Sequence, residues 1–250
     1  MRRRVTLRGR LPAPAGVVLV FVLALALAGC GGVSLVPVSA RPCRGTCAGV
    51  LAQNSADTYA SVARRIYGEE VYGAPNGAAF EVISRVPGLI DGLTRRDYKL
   101  ARYAMHHQPI RHAVAVRVTR GSRTLIDVGL RFVVGGRVRE LRDAAGVSLG
   151  RIEVSIQDVV GFMKLINRLT GCQVVVRGSI GLTSSLPAAA TVALPRTGPV
   201  TVGVHHYIVS SFQERGFAGE PLLISVLAPA SRLTAEEVRS AAAHGRVRSP

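Results

Sequence analysis

Two hydrophobic periods divide this chain of 250 residues. Between Asn54 and Met105 apolar residues return every three or four positions, and from His112 onward they return every second position. The first spacing lays an apolar stripe along a helix, and the second gives a strand one apolar face. Asn54 or Ser55 can cap a helix carrying Tyr59, Val62, Ala63 and Ile66 on one side. The segment Gly73-Ala74-Pro75-Asn76-Gly77 breaks it, and a short helical stretch around Phe80, Val82 and Ile83 ends at Pro87-Gly88. Thr94 and Asp97 have capping-box spacing before a helix bearing Leu100, Ala101, Ala104 and Met105.

The strand half begins with Val114, Val116 and Val118 alternating with Ala115, Arg117 and Thr119, and Gly121-Ser122 turns it into Thr124–Val128. Leu130–Val134 and Arg137–Leu141 read as a further pair around Gly135-Gly136, and Leu149–Ser155 as the next strand. One helix interrupts the strands: Asp158 can cap it, Val159, Phe162, Met163, Ile166 and Leu169 form its apolar face, and Gly171 closes it. Cys172–Val176 and Ile180–Thr183 then form a hairpin, Val200–Phe212 one long strand, and Pro221–Leu227 the last. Thr234 and Glu237 have the spacing of a second capping box, opening a short C-terminal helix. Helices first, then antiparallel strands with one helix inserted, predict an α+β domain.

The residues before this domain form a separate unit. Five arginines and no acid occupy the first ten positions, and Gly16 to Ala28 is almost purely Val, Leu, Ala and Phe. That run is shorter than the roughly 20 apolar residues of a membrane span and suits a signal-peptide core. It ends in Leu27-Ala28-Gly29-Cys30, which resembles the lipobox of bacterial lipoproteins. The resemblance implies cleavage before Cys30, a diacylglycerol thioether on its sulfur, and a membrane-tethered chain on the extracytoplasmic side; an uncleaved anchor is the competing reading. Residues 1–29 are then the signal peptide, 30–53 a tether, 54–228 the folded domain, and 229–250 a C-terminal helix and tail.

Charge narrows the partners. The whole chain carries +17; residues 1–29 hold five of its 32 basic side chains and none of its 15 acidic ones, which leaves +12. Arginine supplies nearly all of it, since Lys99 and Lys164 are the two lysines. On an exported protein such a balance favours anionic lipid or wall polymer. Aromatic residues are few and tryptophan is absent, so a base-stacking surface is missing and no nucleic-acid partner is expected. With Cys30 lipidated, Cys43 and Cys47 make a pair that an oxidising compartment can close into a small disulfide loop, and Cys172 is left as a small apolar residue at a strand start.

The order of elements resembles the Cache-type, PAS-like extracellular sensor domains, most clearly in RIEVSIQDVVGFMKLINRLTGCQVVVRGSIGLTSS, residues 151–185. The resemblance implies an antiparallel sheet flanked by a long N-terminal helix and a connecting helix, with a small-molecule pocket over the sheet and beneath that helix. It places Arg131, Ser155, Asp158, Arg177, His205 and Tyr207 at the pocket, where arginine can grip a carboxylate and Tyr207 can close over apolar substance. The amino-acid-binding members carry a tryptophan that this chain lacks, so ligand identity does not carry over. Cache sensors usually continue into a signalling module; this chain ends, so a membrane partner such as a sensor kinase is expected to carry the signal.

Enzyme chemistry finds little support. Gly146-Val147-Ser148-Leu149-Gly150 has nucleophile-elbow spacing, but strand follows it where an elbow needs a helix. The histidines at 106, 107, 112, 205, 206 and 244 lack helical metal-ligand spacing, so no metal and no cofactor are expected. Glu69-Glu70 and Glu236-Glu237 sit at helix ends. The competing functional reading is a structural or interaction lipoprotein that docks on wall polymer or anionic membrane without a ligand.

Overall fold

A computed structural model gives the fold and describes residues 46–107 and 113–232. The signal peptide, Cys30, Cys43, the side chain of Cys47, His112 and the capping box at Thr234 lie outside the described residues. The fold is α+β, with a long N-terminal helix and a connecting helix, and its strands divide into two antiparallel sheets. No helix among the described residues is long and apolar enough to cross a membrane.

Helix α1 (Thr46–Tyr72) starts inside the stretch expected to be tether, so Asn54 and Ser55 lie within it and cap nothing. The reason is tertiary: Gln53 donates to the Val209 carbonyl at 3.2 Å, and Ala56, Ala60, Ala63, Tyr67 and Val71 are buried. After the expected break come α2 (Ala74–Ser84) and α3 (Pro87–Thr94), each with proline in its first turn, where no backbone N–H is needed. Pro87 therefore opens a helix as well as ending the one before. Helix α4 (Tyr98–His107) is capped by Asp97, whose carboxylate accepts from Leu100 N at 3.1 Å. Thr94 is not part of a capping box, because its hydroxyl donates back to the Ile90 carbonyl in α3.

The first sheet has the order β2-β1-β4-β3, with β1 (Ala115–Arg120), β2 (Arg123–Gly129), β3 (Arg137–Arg142) and β4 (Ser148–Ser155). Val116, Val118, Ile126, Ile152 and Val154 turn one face toward Ile83, Leu89, Leu93, Ala101 and Met105 of α2, α3 and α4. Leu130–Val134 is not a strand. It contributes one isolated bridge, Val133 to Asp158, and the chain there passes toward the other sheet.

Helix α5 (Val159–Thr170) forms as its sequence predicts: Asp158 accepts from Gly161 N at 2.7 Å, and Gly171 ends it with φ of 68°. The second sheet follows in the order β6-β5-β9-β8-β7, built from β5 (Gln173–Arg177), β6 (Leu182–Ser184), β7 (Thr197–Val202), β8 (His205–Arg215) and β9 (Pro221–Pro229). The long strand expected from Val200 to Phe212 is two, because Gly203 at φ 62° turns β7 back into β8 with Val202 facing His205. In each sheet the first strand lies between its hairpin mate and the last strand. Val174, Val175 and Val176 are all buried since α1 and α5 cover one face of β5 while Leu186, Ala189 and Leu194 help cover the other.

Tyr67 fastens these parts. Its hydroxyl accepts from Gly135 N at 2.8 Å and donates to the Arg215 carbonyl at 2.7 Å, and its ring meets Phe162 edge-on at 5.5 Å. A Cβ on Gly135 would lie 2.6 Å from that carbonyl oxygen and 2.8 Å from the hydroxyl, so only glycine fits the joint. Tyr67→Phe keeps the ring and deprives both backbone groups of their partner, which should cost about 1–3 kcal/mol. Urea unfolding midpoints would show it; an unchanged midpoint would mean that water replaces the hydroxyl at no cost.

Candidate functional site

Strand register creates a row of charges on the face of the first sheet turned away from its helices. Arg117 on β1 stands opposite Asp127 of β2 on one side and Glu153 of β4 on the other. Directly opposite residues share a face and interact most strongly. Arg117 Nη2 donates to Asp127 Oδ2 at 2.7 Å. The turn between β8 and β9 lies across this row: Ala218 N donates to both Glu153 oxygens, at 3.1 and 3.0 Å, and the Phe217 ring centre stands 6.0 Å from the Arg117 guanidinium carbon. Ala218 holds φ of 63°, which costs a residue with a Cβ about 1–2 kcal/mol, and that conformation delivers its N–H to the carboxylate. Phe217 itself is buried with Ala115 and Val133.

A cavity of about 430 Å³ opens beside the row, between the two sheets. Arg117, Asp127 and Arg131 come from the first sheet and its exit, and Ser179, Ile180 and Glu220 from turns of the second. Glu220 fixes its far wall by accepting from Ser179 Oγ at 3.0 Å and Ile180 N at 2.9 Å. Arg117 Nε is buried and has no hydrogen-bond partner among the described residues. A guanidinium N–H in that state is a donor awaiting an acceptor. Burial is the main cause holding the Glu153 carboxyl above its ordinary value of 4.5; its contacts with Ala218 N, Arg117 and Gly136 N act in the opposite sense, and Asp127 adds to the rise.

The pocket expected beneath the connecting helix is absent from that place. Val159, Phe162, Met163 and Ile166 of α5 fill the space against Val174, Val176, Ile224 and Val226. The helix holds its position by burying these four residues of its apolar stripe, while Leu169 at its end is exposed. A groove of about 460 Å³ runs along its edge instead, bounded by Lys164, Asn167, Gln173 and Ser185.

The six residues placed by resemblance do not converge. Arg131 stands exposed at the junction cavity. Ser155 is fully buried, and its hydroxyl donates to the Val134 carbonyl at 3.1 Å, while Asp158 caps α5. Arg177 is exposed at the end of β5. His205 and Tyr207 meet in a different cavity of about 340 Å³ beside Pro229 and Ser231, with His205 exposed and the Tyr207 side chain buried. Ser148 opens β4, and its side chain hydrogen-bonds the Glu140 carboxylate, which this and Arg142 hold below its usual range. Among the described residues no three metal-ligating side chains gather.

Sequence reasoning missed Arg117, Asp127, Glu153 and Glu220. Alternation put the first three on an outward strand face, which ordinarily means solvent. Their alignment needs the pairing of three strands, and the turn that covers them is about 65 residues further along the chain.

No protein-family model matches the chain, and no curated protein matches it. A solved structure that is similar, the ligand-binding domain of the Pseudomonas aeruginosa PAO1 amino acid chemoreceptor PctC in complex with GABA, covers 70% of this chain and 99% of its own, at 13% identity and a TM-score of 0.30. At that score the likeness assigns neither a family nor a ligand to this chain.

The raised Glu153 value has a signed consequence. The folded state binds the proton more readily than the unfolded chain, so this group's contribution is complete below pH 4.5 and is lost as pH rises through the folded value. Glu153→Gln keeps an acceptor for Ala218 N and removes the titration. The variant's melting temperature, relative to the unsubstituted protein, should climb as pH goes from acid to neutral; a difference independent of pH would show that Glu153 titrates normally.

Proposed function

We propose that this chain is a lipid-anchored, extracytoplasmic, non-enzymatic Cache-like domain that binds a small polar molecule in the cavity between its two sheets. The bound state would be passed to a membrane partner such as a sensor kinase. The observation that carries the ligand reading is the cavity between the sheets itself, lined by the side chains of Arg117 and Arg131. A ligand with an acidic group meets two guanidinium cations there. Because the cavity draws walls from both sheets, occupancy bears on the contact between the β8–β9 turn and the first sheet, a contact a partner can read. The anchor reading is supported by the order of arginines, apolar core and Leu27-Ala28-Gly29-Cys30 in the sequence.

Thermal unfolding against organic acids, amino acids, nucleosides and polyamines tests the ligand. At one hundred times its dissociation constant a ligand stabilises by about 2.7 kcal/mol, a shift of several degrees for a domain this size. Arg117→Lys keeps the charge and removes the guanidinium fork, so it should weaken the shift produced by any hit. A hit that shifts Arg117→Lys as strongly would place binding elsewhere, and a broad panel without a shift would count against a ligand.

Mass spectrometry of the protein recovered from its own membranes tests the anchor. The expected N-terminal peptide begins at Cys30 and carries a diacylglyceryl thioether. A peptide running unbroken through residues 29 and 30 would reject cleavage at this site.

A further inference from the structure

The first sheet carries a second surface at the tip of its opening hairpin, independent of the cavity. Arg120 and Arg123 face each other across the Gly121-Ser122 turn, a like-charge pair that a strand register ordinarily avoids. No carboxylate among the described residues relieves them: the Arg120 guanidinium donates to the Leu149 carbonyl at 2.8 and 3.1 Å, and that of Arg123 lies 5.4 Å from the Tyr98 ring centre. The second contact joins the hairpin to the start of α4. There Arg96, Lys99 and Arg102 are exposed and make no ion pair among the described residues. The nearby acids are already engaged, Asp97 as the α4 cap and Asp91 with Arg95 at 2.8 Å.

Helix α4 sorts its residues by chemistry. Ala101 and Met105 are buried on the sheet, while Lys99, Arg102, Tyr103, His106 and His107 are exposed. The Tyr103 ring, 61% exposed, lies stacked on His107 at 3.9 Å. An exposed aromatic with a polar tip, set among cations on one helix side, suits the water–lipid interface, where the ring enters the headgroup layer and the cations meet phosphates. A soluble polyanion would satisfy the charges and gain nothing from the ring.

We propose that α4 and the β1–β2 tip form a docking surface for an anionic lipid membrane. Charge complementarity and the exposed Tyr103 ring specify that occupant. The absence of tryptophan from the chain supplies the test. Tyr103→Trp in the full-length protein places a single indole on the surface, and Val204→Trp, at an 85% exposed turn position in the second sheet, serves as the control. Each is mixed with vesicles of phosphatidylcholine alone or of phosphatidylcholine with phosphatidylglycerol.

The fluorescence of the Tyr103→Trp variant should shift to the blue with phosphatidylglycerol only, be quenched by brominated lipid, and revert in high salt. Adding Lys99→Gln and Arg102→Gln to that variant should weaken the response roughly fivefold per cation, about 25-fold together. Both cations are exposed and make no ion pair among the described residues, so folding should survive, as unchanged circular dichroism would confirm. The proposal fails if the Tyr103→Trp indole does not respond to phosphatidylglycerol, if the Val204→Trp control responds equally, or if removing both cations leaves the response whole. It fails too if soluble polyphosphate gives the same blue shift, which would assign the surface to polyanions.

Discussion

The Tyr67 hydroxyl is the point where three otherwise separate stretches of chain meet. It belongs to α1, accepts a hydrogen bond from Gly135 just before β3, and donates one to Arg215 at the end of β8. Burial is the chief cause that raises its ionisation far above the usual phenol range, so the hydroxyl stays neutral and keeps both roles. Part of the wall of the junction cavity, Arg131 and the turn from Phe217 to Glu220, lies within a few residues of these bonds. Gly136 presents its N–H to Glu153, and the turn that begins with Gly216 carries Phe217 and Ala218 onto the charged row. Moving Gly135 relative to Arg215 would therefore displace both sides of the cavity.

That charged row explains why the junction is not simply an apolar seam. Asp127, Arg117 and Glu153 lie side by side, and the covering turn removes water from part of the row. Arg117 must serve two carboxylates and Phe217 from one guanidinium, and the Asp127 bond and the ring take the distal end. The proximal Nε is left over. The turn from the second sheet encloses it, so the row holds one buried donor without a hydrogen-bond partner among the described residues.

Local chemistry made some of this legible in the sequence. Helix α5 could be read from Asp158 to Gly171 because both caps and the apolar stripe lie within its own residues. The β1–β2 hairpin was legible through Gly121-Ser122, and the burial of Cys172 through the strand it opens. What failed depended on distant partners. Residues 46–53 looked like tether until Gln53 met Val209, and Leu130–Val134 looked like a strand although it forms one isolated bridge and no ladder among the described residues. The alternating pattern continues through Gly203, and only the backbone sign there separates β7 from β8. Of the six residues placed by resemblance, Arg131 reaches the junction cavity. Ser155 and Asp158 are occupied by the fold, because polar groups beside a packed helix find backbone partners first.

The two proposed surfaces share one strand. Arg117, at the cavity, and Arg120, at the hairpin tip, stand three residues apart on β1. The Val118–Thr119 irregularity in register with β2 falls between them. On the other side the same residues pair with β4 without a shift, Val118 opposite Ile152 and Thr119 opposite Arg151, so β4 holds the strand in line where β2 departs from it. Tyr98, holding Arg123 to α4, keeps the tip fixed to the helical layer, while Phe217 beside Arg117 keeps the base fixed to the second sheet.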